Sequence, residues 1–344
     1  MSQYRYILNP YKTPASKETC PACGHKRVFT RYRDTETGNL LFETVGRCDR
    51  ENNCGYHKTP KQFFEENKIY QPEKNYSAPK AAPAPTIDYL DSDLVVRSMT
   101  GYADNRFVMY LKALFGEDIT MDLVSKYCIG SSKHWKGATI FWQIDQQENI
   151  RQCKIMLYNA VTGKRVKAGE QVEKWDRTSK KHITEVTDVP CSKVFGKYLN
   201  NETQKLNLQQ CFFGEHLLAE HPDKTVAIVE SEKTAIIASV YFPNLVWIAT
   251  GGSSGCGWSK KEISKVLKGR NVMLYPDLGQ YESWKQKADI IRELIGSKVA
   301  VSSLLEKVAT DDERKSGYDL ADYLVKRDSS GLAVTEAEYP VLWD

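Results

Sequence analysis

The sequence has no run of about 18 apolar residues, the length a membrane-spanning helix needs. Its first residues, MSQYRYILNPYK, contain no apolar core of the signal-peptide kind. The motif GxxxxGK(S/T) does not occur, so the chain carries no Walker-type motor. These absences predict a cytoplasmic protein with no membrane partner. In a reducing compartment its 9 cysteines are thiols or metal ligands rather than disulfides. A large excess of one charge is also missing: the net charge is only +4.

That small excess is unevenly placed. Residues 1–70 carry 12 Lys/Arg against 8 Asp/Glu, and residues 151–182 carry 9 against 3, so the remainder is acidic. Two basic regions on an otherwise acidic chain are a footprint of phosphate-backbone binding. A solvated surface gives the same composition.

The cysteines are more specific. Cys20 and Cys23 form a CxxC pair followed by Gly24, and Cys48 and Cys54 form a second pair followed by Gly55. Four thiolates on two tight turns complete a tetrahedral zinc shell. His25 and His57 are surplus to that shell and are expected at the surface. Between the pairs, VFTRYRDTETGNLLFETV reads as a hairpin around Thr-Gly-Asn. The expected fold is a zinc ribbon over residues 1–70, closed by a short helix in 58–70. A module this small needs its metal for folding free energy. Lys26, Arg27, Arg31 and Arg33, interleaved with Phe29 and Tyr32, suit contacts to a single strand or form a solvated hairpin edge.

Residues 71–86, QPEKNYSAPKAAPAPT, are rich in Pro and Ala without apolar periodicity, and predict an extended flexible linker. Residues 93–116 then show helical spacing, with Phe107, Leu111 and Leu114 on one face. Residues 138–158 read as two strands around a polar turn, followed by a basic loop, TGKRVKAGEQVEKWDRTSKK. Arg151, Lys154, Lys164 and Arg165 cluster there as phosphate-contact candidates. Cys128, Cys153, Cys191, Cys211 and Cys256 lack ligand spacing and read as core or surface thiols. No second linker is visible, so 87–220 is expected to be a basic lobe of the domain that follows.

From residue 225 strands and helices alternate. TVAIVE (225–230), LVWIAT (245–250), NVMLYPD (271–277) and KVAVSSLL (298–305) are buried strands, and SEKTAIIASVYF and ESWKQKADIIRELIG are helices. This order predicts an α/β region, 221–344, with a mostly parallel sheet and flanking helices. In such sheets the functional crevice lies at the carboxyl ends of the strands. Glu230 and Asp277 end two strands there, with Glu232 two residues on, and paired carboxylates suit Mg2+ or Mn2+. Lys233, at the start of the helix after Glu230, is placed to neutralise phosphate.

VAIVESEKTAIIAS resembles the first TOPRIM motif, ATGGSSG its glycine turn, YPDLG its third-strand motif, and YDLADYL (318–324) the segment that closes primase-type TOPRIM regions. With the ribbon ahead of them and the FWQID…KIMLY…GKR segment between, most of the chain resembles primase-like proteins of the DnaG and phage type. The particular resemblance is to a group encoded on bacterial mobile elements. It implies an α+β chain overall: zinc ribbon, linker, then a primase-like core ending in a TOPRIM domain. The implied activity is Mg2+- or Mn2+-dependent nucleotidyl transfer on single-stranded DNA. Glu230, Asp277 and Glu232 would be catalytic, structural zinc would sit in the ribbon, and a primer-template, nucleotides and a replicative helicase would be partners. The sequence departs where catalytic members have the second Asp of Asp-x-Asp: here stands Gly279. Glu282, Asp319 and Asp322 are nearby substitutes. Two further readings are a catalytically degenerate DNA-binding accessory protein and a TOPRIM-type nuclease.

Overall fold

The computed structural model describes residues 4–11, 13, 16–50, 54–68, 86–187, 192–194, 206–252 and 255–329. The expected linker, apart from Thr86, and Cys191 lie outside them. The chain divides into two compact units, Met1–Pro85 and Thr86–Asp344.

The first unit is a zinc ribbon. Strands β1 (Tyr6–Leu8), β2 (Phe29–Asp34), β3 (Gly46–Cys48) and β4 (His57–Lys58) form an antiparallel sheet in that order. The predicted turn after β2 is present, since Gly38 N–H donates to Asp34 O and Asp34 N–H to Asn39 O. The return strand is later than expected, because Phe29 pairs with Cys48 and Arg31 with Gly46. Helix α1 (Pro60–Glu66) starts with Pro60 and a capping box between Thr59 and Gln62, which satisfies two of the first-turn donors. Its core is Phe29, Cys20 and Cys48, with Val28 and Tyr56 against them.

The second unit opens with α2 (Asp93–Ser98) and α3 (Arg106–Lys126). The helical spacing read across 93–116 is broken between them. The Asn105 side chain accepts from Phe107 N–H and Val108 N–H and starts a new helix. Within α3, Gly116 at φ +81° kinks the axis. Strands β5 (Gly130–Ser132), β6 (Ala138–Ile144), β7 (Ile150–Met156) and β10 (Ser192–Val194) make an antiparallel sheet ordered β10-β7-β6-β5. The stretch expected as a basic loop instead contains a two-stranded hairpin, β8 (Gln171–Asp176) and β9 (Lys181–Val186). Its alternation of Val172, Lys174 and Asp176 with Glu173 and Trp175 is strand-like, but its charge density obscures that.

A short helix α4 (Leu217–Glu220) leads into β11 (Val226–Val229), α5 (Glu232–Tyr241), β12 (Val246–Ala249), α6 (Lys261–Ser264), β13 (Val272–Leu274), α7 (Tyr281–Ile295) and β14 (Val299–Val301). Helices α8 (Leu304–Val308), α9 (Asp311–Ser316) and α10 (Leu320–Ser329) follow. The sheet is parallel throughout and ordered β12-β11-β13-β14. β11 and β12 are buried along their whole length, as a strand covered on both faces must be. On α7, Trp284, Ala288, Ile291 and Ile295 are buried at spacings of four, three and four, while the rest of the helix is mostly polar.

One core joins this sheet to the preceding lobe. Phe107, Leu111 and Phe141 pack in the same cluster as Ile228, Ile237 and Leu274. The alternate residues Ile140 and Trp142 face a second cluster on the other side of β6. Phe213 and Ala249 exchange backbone hydrogen bonds at 2.9 and 3.0 Å, which seals the outer edge of β12. No helix among the described residues is long and apolar enough to cross a membrane.

Candidate functional site: a zinc centre and an acidic strand edge

The four cysteines come together as the sequence predicts. Their sulfurs lie within 4.8 Å of one another, and Cys20 and Cys48 are only 1% exposed. Each pair sits on a tight turn: Gly24 N–H donates to Cys20 O at 2.9 Å and Cys54 N–H to Arg50 O at 2.8 Å. The backbone N–H of His25, helped by the Cys54 and Cys20 sulfurs and by Arg50 and opposed by burial, lowers the Cys23 thiol to about 6. Four soft donors with N–H groups turned toward them fit Zn2+. His25 and His57 have other partners. His25 Nδ1 lies 3.1 Å from Cys23 O, and His57 Nε2 lies 2.9 Å from the Tyr32 hydroxyl with the two rings stacked. Of the aromatic and basic residues read as strand contacts, Phe29 is wholly in the core and Arg31 is paired with Glu18 at 2.9 Å. Lys26 and Arg27 are exposed.

The second site lies at the carboxyl edge of the parallel sheet. Glu230 follows β11 and Asp277 follows β13; because Ile228 pairs with Leu274, both leave the sheet side by side. Both are half-buried, and neither carboxylate has a hydrogen-bond or ion-pair partner among the described residues. Burial, reinforced by the charges of Asp319 and Glu230, pushes Asp277 up to about 8. Burial also raises Glu230, with Lys154 and Lys287 acting against the shift. Lys287 is a residue that sequence reading missed. It lies on α7 over the Trp258 ring, 5.0 Å from its centroid, and only the fold brings it near Glu230.

Glu232 is 1% exposed and receives Lys154 Nζ at 3.1 Å. The same ammonium donates to Gly251 O at 3.1 Å, so a lysine of β7 reaches across to the turn after β12. Lys164 and Arg165 are exposed on the turn after β7, with Lys164 Nζ 6.0 Å from the Tyr318 ring centroid. Gly163 makes that turn possible. It has φ +62°, and a Cβ there would meet the Tyr110 ring at 2.2 Å.

Two predicted phosphate contacts are committed elsewhere. Arg151 donates to buried Asp145 at 2.6 Å and lies over Tyr89, so it braces the β6–β7 turn. Lys233 is buried and donates to Asp322 at 2.8 Å, with Asp319 at 3.1 Å. Asp319 also accepts from Thr234 Oγ1 at 3.0 Å and, through its other oxygen, from Asp322 N–H at 2.8 Å. It therefore caps the start of α10 and shares its second oxygen between Lys233 and Thr234. Gly279 is itself a turn residue: φ is +80°, Gln280 N–H donates to Asp277 O at 3.0 Å, and its own N–H donates to Glu306 at 2.8 Å.

Two half-buried carboxylates without partners are a hard-oxygen donor pair, and they fit one Mg2+ or Mn2+ whose remaining ligands are water or substrate oxygens. They are not a closed cage. Among the described residues, the cysteine cluster alone gathers three or more His, Cys, Asp or Glu ligand atoms within 4.8 Å. Cys153, Cys211 and Cys256 are buried thiols, and Cys128 is half-buried.

A family model described as a domain of unknown function, DUF6371, matches residues 105–278. A zinc beta-ribbon finger model matches residues 4–69. No curated protein matches. Similar solved structures include the primase fragment of the bacteriophage T7 primase-helicase, at 12% identity over 95% of this chain and 98% of that one, with a TM-score of 0.36. The E. coli primase catalytic core is 10% identical over 69% and 82%, with a TM-score of 0.36. The Aquifex aeolicus primase, in its zinc binding and RNA polymerase domains, is 13% identical over 96% and 82%, with a TM-score of 0.31. Likenesses of this degree carry no function across.

Proposed function

We propose that this chain, which belongs to the DUF6371 family, is a primase-like nucleic-acid protein that acts on single-stranded DNA in the replication or transfer of a mobile element. The observation that carries the reading is the pair Glu230 and Asp277, half-buried and without partners, side by side at the carboxyl edge of a parallel sheet. The zinc ribbon and the TOPRIM-like motifs around this pair support it. Glu230 and Asp277 would hold one Mg2+ or Mn2+. When bound, that ion neutralises phosphate charge and polarises the reacting oxygens in nucleotidyl transfer.

The chain's own residues supply the rest. Lys154 holds Glu232 and the Gly251 carbonyl in place at the crevice and leaves its ammonium beside the carboxylates. Lys164 and Arg165, exposed and free of carboxylate partners among the described residues, would contact the backbone of the strand or the nucleoside triphosphate. Lys26 and Arg27 of the ribbon add a second set of phosphate contacts. A protein that neutralises several phosphates binds more weakly as salt rises.

A second reading, a binding protein without catalysis, is favoured by one feature: Gly279 brings no carboxylate. Primer synthesis separates the two. Zinc-loaded protein is given single-stranded DNA, ribonucleotides and Mg2+ or Mn2+, beside Asp277→Asn and Glu230→Gln. Products from wild type that vanish in both variants establish the enzyme. Folded protein that binds DNA and yields no product leaves the binding reading.

A further inference from the structure

The acidic edge contains a positive charge of the protein's own. Four carboxylates, those of Glu230, Asp277, Asp319 and Asp322, lie in one electrostatic neighbourhood, since the charges of Glu230, Asp319 and Asp322 all act on Asp277. They are not equivalent. The Lys233 side chain, 11% exposed, places Nζ 2.8 Å from Asp322 Oδ1 and 3.1 Å from Asp319 Oδ2. Both Asp319 oxygens are occupied, one by Lys233 and Thr234 and the other by Asp322 N–H. Glu230 and Asp277 have no such partners among the described residues.

The position of Lys233 is fixed from three sides. It is the second residue of α5, and Ser231 caps that helix by accepting from Thr234 N–H at 3.1 Å. Asp322 belongs to the first turn of α10, which packs against α5, and Asp319 immediately precedes that helix and caps it. A buried ammonium between two carboxylates is a fixed monovalent cation. It cannot dissociate with a product, and its removal would leave two like charges close together with nothing between them.

We propose that Lys233 is a built-in counter-ion: it fills the place where Asp319 and Asp322 would otherwise hold a divalent cation, and so limits this edge to one exchangeable ion, on Glu230 and Asp277. It is a positioning residue and touches no substrate. The inference rests on the reading of Glu230 and Asp277 as cation ligands, and it makes the site a one-ion site by construction.

The test counts ions in the full-length, zinc-loaded chain. Free Mn2+ is followed by electron paramagnetic resonance during titration into wild type, Lys233→Met, Lys233→Arg and Asp322→Asn, with folding checked by circular dichroism. Lys233→Met is expected to bind one Mn2+ more than wild type, and the double variant Lys233→Met/Asp322→Asn to lose that extra ion. Lys233→Arg keeps the wild-type count, because a guanidinium still fills the position. Folded Lys233→Met with the wild-type count overturns the proposal. Should Lys233→Met not fold, Asp322→Asn decides. Its carboxylate belongs to the lysine, so Mn2+ binding is unchanged if the proposal holds, and loss of the ion overturns it. Wild type that binds no Mn2+ would defeat the reading of Glu230 and Asp277 instead. The difference between Lys233→Met and wild type would still decide the role of Lys233.

Discussion

The ribbon and the strand edge both gather charge that wants a cation, and they do so with opposite economies. In the ribbon four thiolates meet on two turns, and the core around them is little more than Phe29 and its neighbours. The metal is then a large part of what folds the unit. The strand edge stands on a core that runs from α3 through the parallel sheet to α10. There the core is formed by apolar packing, and the two half-buried acids lie at its edge. A closed site stabilises its scaffold; an open one is carried by its scaffold and stays available to a ligand.

Removing zinc tests this contrast most severely. A strong chelator, or Cys48→Ser, is expected to unfold residues 4–68 and leave the second unit's melting transition in place. Structural zinc is worth about 10–16 kcal/mol in modules of this kind. Hydrogen exchange read separately over the two units checks it, and loss of protection in β11–β13 would break the contrast. The converse is Trp247→Ala. Trp247 is wholly buried, with Nε1 donating to Phe242 O at 3.0 Å. Its truncation should cost the second unit about 4 kcal/mol and leave zinc affinity as it was.

A buried acid away from both sites sharpens the picture. Glu215 is 3% exposed, and burial pushes its carboxyl up to about 7 from an ordinary 4.5. Because the folded-state value is the higher one, its contribution is fully present below 4.5 and is lost as pH rises through about 7. Glu215→Gln should therefore stabilise the second unit by up to about 3 kcal/mol above that range. Denaturant titrations at several pH values would show a flatter profile; an unchanged profile would mean that Glu215 is solvated. Asp277→Asn acts at the strand edge itself. Without a divalent ion its stability should equal wild type below 3.8 and exceed it by a margin that grows up to about 8, because burial and the charges of Asp319 and Glu230 keep the folded carboxyl protonated there while the unfolded one ionises. Mg2+ is expected to raise the Tm of wild type and to leave that of Asp277→Asn unchanged.

Much of this architecture is written locally. The cysteine turns, the capping Ser231, the first three apolar strands and the amphipathic α7 each follow from neighbours in the chain; the fourth strand, expected over 298–305, is only Val299–Val301, and Leu304 and Leu305 begin α8 instead. What local pattern does not hold is partnership over distance. Lys233 is a plain first-turn lysine until α10 arrives with Asp319 and Asp322, 86 and 89 positions later. Lys287 gains its bearing on Glu230 only through the packing of α7. Arg151 looks free until Asp145 is seen to be buried across the turn. The hairpin β8–β9 was hidden for another reason: its strands are so charged that period-two alternation of apolar residues is nearly absent.

The turn at Gly279 limits which residues this position accepts. Its backbone lies in the left-handed region that an L-residue enters only with strain, and its N–H is already tied to Glu306. There is open space for a side chain, since nothing lies within 4 Å of where its Cβ would be. An aspartate at position 279 would therefore meet no clash and would still hold a strained backbone, so Gly279→Asp is a change that space permits and conformation opposes.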